Sequence, residues 1–271
     1  MKISIITVTY NAASVLKRTL DSVKAQSWQQ IEHLIIDGAS KDETISMAET
    51  YKAQCPYEVV ILSEPDKGLY DAMNKGLRLA TGDYLVFLNA GDTLHAADTL
   101  ETIVNCQLST VNYQLSTVRS ARRDACQSKN CQLPGVLYGD TAITDEQGNF
   151  LHLRRLRPPK KLSWKSFRQG MLVCHQAFYA LTDIAKNLPY DPRYRYSADV
   201  DWCIRVMKEA QKRQLPLVNT QAILADYQEE GQTTIHHRDS LKERFDVMRR
   251  HYGLFTTVIM HVWFVFRQLI K

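Results

Sequence analysis

Ile3-Ser-Ile-Ile-Thr-Val-Thr9 is a β-branched run near the start of the chain, too short for a helix and suited to a buried strand. Outward from it, strand and helix signals alternate. Ala12–Gln26 carries Val15, Leu16, Leu20 and Val23 at helical spacing, and Ile31-Glu-His-Leu-Ile-Ile36 is a second strand. Asp42 stands where a cap would start a helix running to about Ala53. Glu58–Leu62 reads as a third strand and Leu69–Ala80 as a third helix; Gly82 ends that helix before a fourth strand, Tyr84-Leu-Val-Phe-Leu88. Strands alternating with helices of this length build right-handed β-α-β units, which predicts an α/β fold around a mainly parallel central sheet flanked by helices.

Beyond residue 100 the pattern changes. Gln107-Leu-Ser-Thr-Val is repeated as Gln114-Leu-Ser-Thr-Val118, and Asn105-Cys-Gln-Leu108 recurs as Asn130-Cys-Gln-Leu133. So few copies do not make a solenoid. The basic tract between them (Arg119, Arg122, Arg123, Lys129) predicts an inserted surface loop over 105–133. Val136-Leu-Tyr-Gly-Asp140 resumes a strand, and Glu146-Gln-Gly-Asn149 has the composition of a hairpin turn returning through Phe150–Leu153. Ser197–Ala210 and Asp239–Tyr252 are spaced as helices, and Leu254–Ile270 is helical in period and apolar on most faces.

A length of 271 residues suffices for one large α/β domain with appendages, and 45% hydrophobic with 23% charged residues argues against a disordered or fibrous chain. The net charge of +5 suits a solvated basic surface or an anionic partner. No basic stretch interleaved with stacking aromatics supports nucleic-acid binding. The six cysteines form no C-x-x-C pair, and Met1–Asn11 reads as a strand rather than a leader. Both point to free thiols in a reducing cytoplasm. No run reaches the roughly 18 apolar residues of a spanning helix.

Ligands of open parallel sheets bind outside the carboxyl ends of the strands. Here those ends are polar: Thr9-Tyr10-Asn11, Asp37-Gly38-Ala39-Ser40, Glu64-Pro65-Asp66-Lys67 and Asn89-Ala90-Gly91-Asp92. Each alone is an ordinary turn composition. Together they gather carboxylates on one edge, which is costly without a cation or a hydrogen-bonding ligand. Tyr10 offers a ring to a base, Asp37 a carboxylate to a base or ribose, and Asp92 a hard oxygen to Mg²⁺ or Mn²⁺. No G-x-G-x-x-G follows the first strand and no P-loop occurs, which disfavours dinucleotide oxidoreductases and P-loop NTPases.

Ser4-Ile-Ile-Thr-Val-Thr-Tyr-Asn11, Leu34-Ile-Ile-Asp-Gly-Ala-Ser-Lys-Asp42, Glu64-Pro-Asp-Lys-Gly-Leu-Tyr-Asp-Ala-Met-Asn-Lys-Gly76 and Thr81-Gly-Asp-Tyr-Leu-Val-Phe-Leu-Asn-Ala-Gly-Asp92 resemble the family 2 glycosyltransferases of GT-A fold. Within that family the branch making bacterial exopolysaccharides such as colanic acid is the most similar. The resemblance resumes at Leu137-Tyr-Gly-Asp140, Cys174-His-Gln-Ala177 and Ser197-Ala-Asp-Val-Asp201. It implies a nucleotide-diphosphate sugar held by Thr9, Tyr10, Asn11 and Asp37, with Asp66 and Asn74 nearby. It also implies a divalent metal on Asp92, with Asn89 and Gly91 standing where many relatives carry aspartates. Ala198-Asp-Val-Asp-Trp202 resembles the segment that supplies the family's base, and Asp199 falls on that base. Acids near a helix start also suit its dipole without any catalysis. His175 and Asp201 fall on the acceptor side, and Glu230-Gly-Gln-Thr-Thr234 is similar to a mobile loop near that site; His236-His237 reads as a solvated pair or as metal ligands.

The expected organisation is a GT-A (Rossmann-like) domain over 1–235 and C-terminal helices over 236–271. Within the domain, 1–100 binds the nucleotide sugar and 136–235 forms the smaller acceptor-side half. The apolar stripe of the tail, flanked by Arg249, Arg250, Arg267 and Lys271, either packs on the domain or rests on the inner face of an anionic membrane. The expected reaction is inverting transfer of one sugar to a saccharide or lipid-linked oligosaccharide hydroxyl in cell-surface polysaccharide synthesis. The rivals are a sugar-nucleotide nucleotidyltransferase, for which Tyr10-Asn-Ala-Ala-Ser14 lacks the Gly-rich, Arg-containing loop, and a non-catalytic nucleotide-sugar-binding module.

Overall fold

The computed structural model describes residues 1–120, 132–145, 147–228 and 237–269. Its first half follows the alternation read from the sequence: β1 (Ile3–Thr9), α1 (Ala13–Lys24), β2 (Ile31–Asp37), α2 (Thr44–Gln54), β3 (Glu58–Ser63), α3 (Leu69–Leu79) and β4 (Tyr84–Phe87). Strands β3, β2, β1 and β4 lie side by side and parallel. Every residue of β1 and β2 is buried, as expected of parallel strands covered on both faces. Polar residues among them are paired: the Glu32 carboxylate accepts from Ser4, Thr81 and Lys2, and His33 bridges Thr7 and Tyr51. Asp42 does not occupy the cap position itself. It lies one residue earlier, where its carboxylate accepts from the Thr44 and Ala13 amides and ties α2 to the start of α1.

The second half makes the sheet mixed rather than mainly parallel. After β5 (Thr93–Leu94) and α4 (Thr99–Ser120) come β6 (Val136–Thr144), β7 (Phe150–Leu153), β8 (Phe178–Leu181) and β9 (Leu217–Gln228). The sheet order is β3-β2-β1-β4-β8-β6-β9-β5, with β7 also on β6. The β4–β8, β8–β6, β6–β7 and β9–β5 pairings are antiparallel, while β6–β9 is parallel. β5 follows β4 by a short link yet closes the far edge, so the sheet curls back over the carboxyl end of β4. Hairpin and short-loop connections permit antiparallel pairs that a β-α-β alternation does not announce.

The loop expected over 105–133 is also corrected. Its first part, to Ser120, is the continuation of α4. The two Gln-Leu-Ser-Thr-Val copies start seven residues apart, close to two helical turns, a spacing a helix accommodates. Residues 121–131 lie outside the described residues, as do the Glu230–Thr234 loop, His236 and the side chain of His237.

Three helices complete the described chain after the short α5 (Thr182–Ala185): α6 (Ala198–Lys212), α7 (His237–Tyr252) and α8 (Leu254–Leu269). α7 fixes the entry to α6. The Glu243 carboxylate accepts hydrogen bonds from the Arg195, Tyr196 and Ser197 amides at 2.8, 2.7 and 3.0 Å, and Tyr194 donates to Asp246 at 2.8 Å. Backbone donors ahead of a helix otherwise need water, so this contact pins the loop leading into the first turn of α6, where Asp199 lies.

Candidate active site

The in-register ends of β1, β2 and β3 bring Thr9, Asp37 and Ser63 level across the sheet. Thr9 and Ser63 hydroxyls donate to Asp37 at 2.9 and 2.8 Å, and Ser40 adds its amide at 2.8 Å and its hydroxyl at 2.5 Å. Asp37 is only 1% exposed. Burial works to raise its pKa, but the hydrogen bonds from Ser40, Ser63 and Thr9 outweigh it and hold the carboxyl below its ordinary value. The same bonds secure a strained turn: Ala39 has φ 62° and Asn11 φ 49°, left-handed conformations for non-glycine residues. Asn11 braces the turn by donating its amide to Ser40 and accepting from the Lys41 amide, both at 2.8 Å.

Above this platform lies a cleft of about 490 Å³ lined by Thr9, Tyr10, Gly38, Asp66, Leu69 and Arg195, among others. Tyr10 is 65% exposed and turns its ring to the opening. Gly38 lines the cleft, and a Cβ there would meet Asp66 Oδ2 at 2.5 Å and the Tyr10 ring at 3.2 Å, so a larger residue would push the Asp66 carboxylate aside. Asp66 accepts from the Gly68 amide at 2.8 Å through Oδ1.

The end of β4 is built differently. Gly91, at φ 98°, turns the chain so that Asp92 faces inward, and the Thr19 hydroxyl accepts from the Gly91 amide at 2.9 Å and donates to the Asp92 carbonyl at 2.7 Å. The Asp92 carboxylate is 7% exposed, and its protein donor is Gln176 Nε2, at 2.9 Å from Oδ2. Burial pushes its pKa up to about 6 despite Gln176 and the nearby charges of His175 and Arg18. Beside it, the Asn89 amide nitrogen lies 3.2 Å from His175 Nε2, while Asn89 Oδ1 is buried without a donor.

A 3-10 turn, His175–Ala177, joins this strand end to α6. His175 sets Nε2 against the Asn89 amide and Nδ1 toward Asp199 Oδ2, at 3.5 Å. The Tyr70 hydroxyl donates to Asp199 Oδ1 at 3.3 Å. Burial raises the Asp199 pKa, but the hydrogen bond and charge of His175, with the charge of Arg244, bring it below the ordinary value. Arg244 makes no ion pair or hydrogen bond among the described residues, and its Nε is shielded from solvent without an acceptor. Tyr70 stacks on Tyr190 and Tyr190 on Trp202, at 5.3 and 5.1 Å between ring centres, so an aromatic column supports the carboxylate.

The structure thus gathers Thr9, Tyr10 and Asp66 around one cleft, places Asp37 and Asn11 in the hydrogen-bonded turn next to it, and links Asp92 to Asp199 through His175 and Gln176. Two expected residues lie elsewhere. Asn74 donates to the Tyr190 carbonyl at 3.0 Å and accepts from the Tyr190 amide at 2.7 Å, which leaves its amide fastening the aromatic column rather than facing the cleft. Asp201 was expected on the acceptor side, yet it is bound to Arg205 at 2.6 Å and to His251 of α7 at 2.8 Å. Two positions along a helix turn a side chain to another face. Gln176, Tyr70, Arg195 and Arg244 carried no signal of their own, although Gln176 sits inside the Cys-His-Gln-Ala stretch. No cluster of three or more His, Cys, Asp or Glu suited to a metal occurs among the described residues.

A model of the Glycosyl transferase family 2 matches residues 4–110. The chain is 32% identical over 206 residues to a PGL/p-HBAD biosynthesis glycosyltransferase of Mycobacterium bovis, covering 74% of this chain and 68% of the relative. In structure it is similar to S. aureus TarS 1-349 in complex with UDP-GlcNAc, with a TM-score of 0.68 at 16% identity over 92% of this chain. It spans only 65% of that TarS chain. It is also similar to the mannosyltransferase PcManGT from Pyrobaculum calidifontis in complex with GDP-Man and Mn²⁺, with a TM-score of 0.59 at 14% identity, covering 96% of this chain and 70% of that one. None of these three is named for exopolysaccharide or colanic acid synthesis.

Proposed function

The chain belongs to glycosyltransferase family 2, and from that premise we propose that it transfers a sugar from a nucleotide-diphosphate sugar to a hydroxyl of a saccharide or lipid-linked acceptor. The observation that carries this reading is the single constellation made by Asp92, Gln176, His175 and Asp199, which comes from two halves of the chain. The complexes of TarS with UDP-GlcNAc and of PcManGT with GDP-Man and Mn²⁺ support the same donor class and a divalent metal.

The residues at the end of β4 fit such a metal. Among the described residues the side-chain donor to Asp92 is Gln176, at Oδ2, which leaves Oδ1 for a cation, and the orphaned Asn89 Oδ1 is a second hard oxygen on the same turn. With Asn89 and Gly91 in place of acids there is one carboxylate, so phosphate oxygens of the donor would complete the set and affinity without donor should be weak. When bound, the cation supplies charge neutralisation for the departing diphosphate.

The protein's own groups supply the rest. Tyr10 stacks on the base and Arg195 faces the donor from across the cleft. A phosphate of the donor would give the Arg244 guanidinium the acceptor that its Nε lacks. Asp199, kept ionised by His175, takes the proton of the acceptor hydroxyl as that oxygen bonds to the anomeric carbon. The bond from that carbon to the diphosphate breaks, and the nucleoside diphosphate leaves with the electron pair. Among the described residues no second carboxylate pairs with Asp199 as a nucleophile, Asp201 being turned to α7, which favours single displacement and inversion. We assign the product to cell-surface glycan.

A thermal-shift screen of nucleoside diphosphates and their sugars with Mn²⁺, followed by metal-dependent donor hydrolysis, tests the reading. Asp92→Ala should abolish the metal dependence of both. Undiminished Mn²⁺ dependence in that variant would remove Asp92 from the metal site, and binding without turnover would mark a non-catalytic module.

A further inference from the structure

Helix α8 is inside out. Its exposed positions from Leu254 to Phe266 are all apolar: Leu254, Phe255, Val258, Ile259, Val262, Trp263, Val265 and Phe266, with Phe255 81% and Val262 65% exposed. Between Thr256 and Arg267 its polar residues are buried or half-buried instead. Thr257 is fully buried and donates to the Gly253 carbonyl at 2.8 Å, and His261 meets the Phe245 ring of α7 edge-on at 4.9 Å. Arg267 is half-buried over Phe264, at 5.3 Å. A helix of a water-exposed surface has the reverse arrangement. A contiguous apolar face of this extent marks an interaction surface.

Beside the apolar face lies a basic one. The segment 154–168 contains Arg154, Arg155, Arg157, Lys160, Lys161, Lys165 and Arg168 and no acid. It ends in the 3-10 turn Trp164–Gln169, which packs against α8, and Trp164 stacks on Tyr252 at the end of α7. Arg155, Lys160, Lys161, Lys165 and Arg168 are exposed and none pairs with a carboxylate among the described residues. Arg157 is engaged by Asp140, and Arg249 and Arg250 by Asp246, so of the basic residues in 154–168 and at the end of α7 the exposed ones without a carboxylate are in this segment.

We propose that α8 and the 155–168 segment together form a docking surface for an anionic lipid bilayer, with α8 lying in the interface plane. Sixteen helical residues span about 24 Å, short of the roughly 30 Å hydrocarbon core. Among the described residues no helix is long and apolar enough to cross a membrane. Trp263 and the phenylalanines suit the boundary between headgroups and chains, and the unpaired cations suit acidic headgroups. A self-associating face would place unneutralised cations of both copies close together; a bilayer of acidic lipid neutralises them. The proposal is independent of the transfer reaction, since vesicle binding needs no sugar donor.

Sedimentation of the full chain with phosphatidylcholine vesicles, with and without phosphatidylglycerol, tests it. Binding should require the acidic lipid and fall as salt is raised. The variant Arg155→Gln/Lys160→Gln/Lys161→Gln/Lys165→Gln should bind acidic vesicles at least about tenfold more weakly, since each such cation contributes on the order of fivefold. Phe255→Glu/Val262→Glu/Phe266→Glu changes exposed positions only, so it should keep its circular dichroism and lose vesicle binding. Equal binding to neutral vesicles, or no loss in the glutamine variant, would overturn the anionic assignment. A wild-type dimer that ignores vesicles and becomes monomeric in the glutamate variant would instead make the face a contact between copies.

Discussion

Asp37 and Asp92 stand at carboxyl ends of strands in one sheet, both buried, and the protein treats the two carboxylates in opposite ways. Asp37 accepts four hydrogen bonds from Thr9, Ser40 and Ser63, which fill its acceptor sites and keep it charged. Asp92 has one side-chain donor, Gln176, and burial lifts its pKa to about 6. A saturated carboxylate organises a loop. An under-satisfied one awaits a partner that the chain does not provide, and the energetic tension is the mark of a binding site. Asp199 is intermediate: half-buried, held below the ordinary carboxylate range by His175, and only weakly bound by Tyr70 at 3.3 Å.

The largest effect should come from Asp199. Asp199→Asn should lower transfer about 10²–10⁴-fold while donor affinity and circular dichroism stay unchanged. An active Asp199→Asn beside a dead Asp201→Asn would exchange the two roles. Next comes Asp37. Asp37→Asn keeps one acceptor oxygen and strands at least one buried donor, so thermal denaturation should report a loss of about 2–4 kcal/mol. Because the folded pKa of Asp37 is depressed, its contribution is present above the ordinary carboxylate range near ~3.9 and is lost as pH falls toward the folded value. The stability gap between wild type and Asp37→Asn should therefore narrow in acid; a gap that widens would show that the charge of Asp37 is not what its hydrogen bonds stabilise.

Asn74→Ala should cost about 1–2 kcal/mol by freeing the Tyr190 backbone, with the donor KM unchanged. A raised donor KM with normal stability would return Asn74 to the cleft. The smallest effect is expected for Asp92→Asn in metal-free protein at pH 7, which should be no less stable than wild type because it removes a poorly compensated buried charge. If it destabilises as much as Asp37→Asn, the contrast between the two strand ends fails.

Local pattern fixed the left half of the sheet. The β-branched runs Ile3–Thr9 and Ile31–Asp37 and the helical periods between them have the observed bounds within about a turn, because a buried parallel strand must be apolar along its whole length. The polar strand ends placed Thr9, Tyr10, Asp37, Asp66 and Asp92 by the same logic, since strands in register deliver their last residues to one edge. Partners across long sequence separations were beyond any local pattern. Antiparallel β8, the returning β9 and the short β5 depend on pairing with the edge of β4 and with one another, far along the chain. Whether Asp199 or Asp201 faces the site depends on helix rotation, which Glu243 and His251 of α7 set from outside α6. The Asn74 side chain could serve ligand or backbone equally well by composition, and the position of Tyr190 selected the backbone. Sequence supplied the chemistry at each strand end; tertiary packing decided which of those groups is satisfied and which is left open, because a hydrogen bond belongs to two residues and only the fold brings the second one.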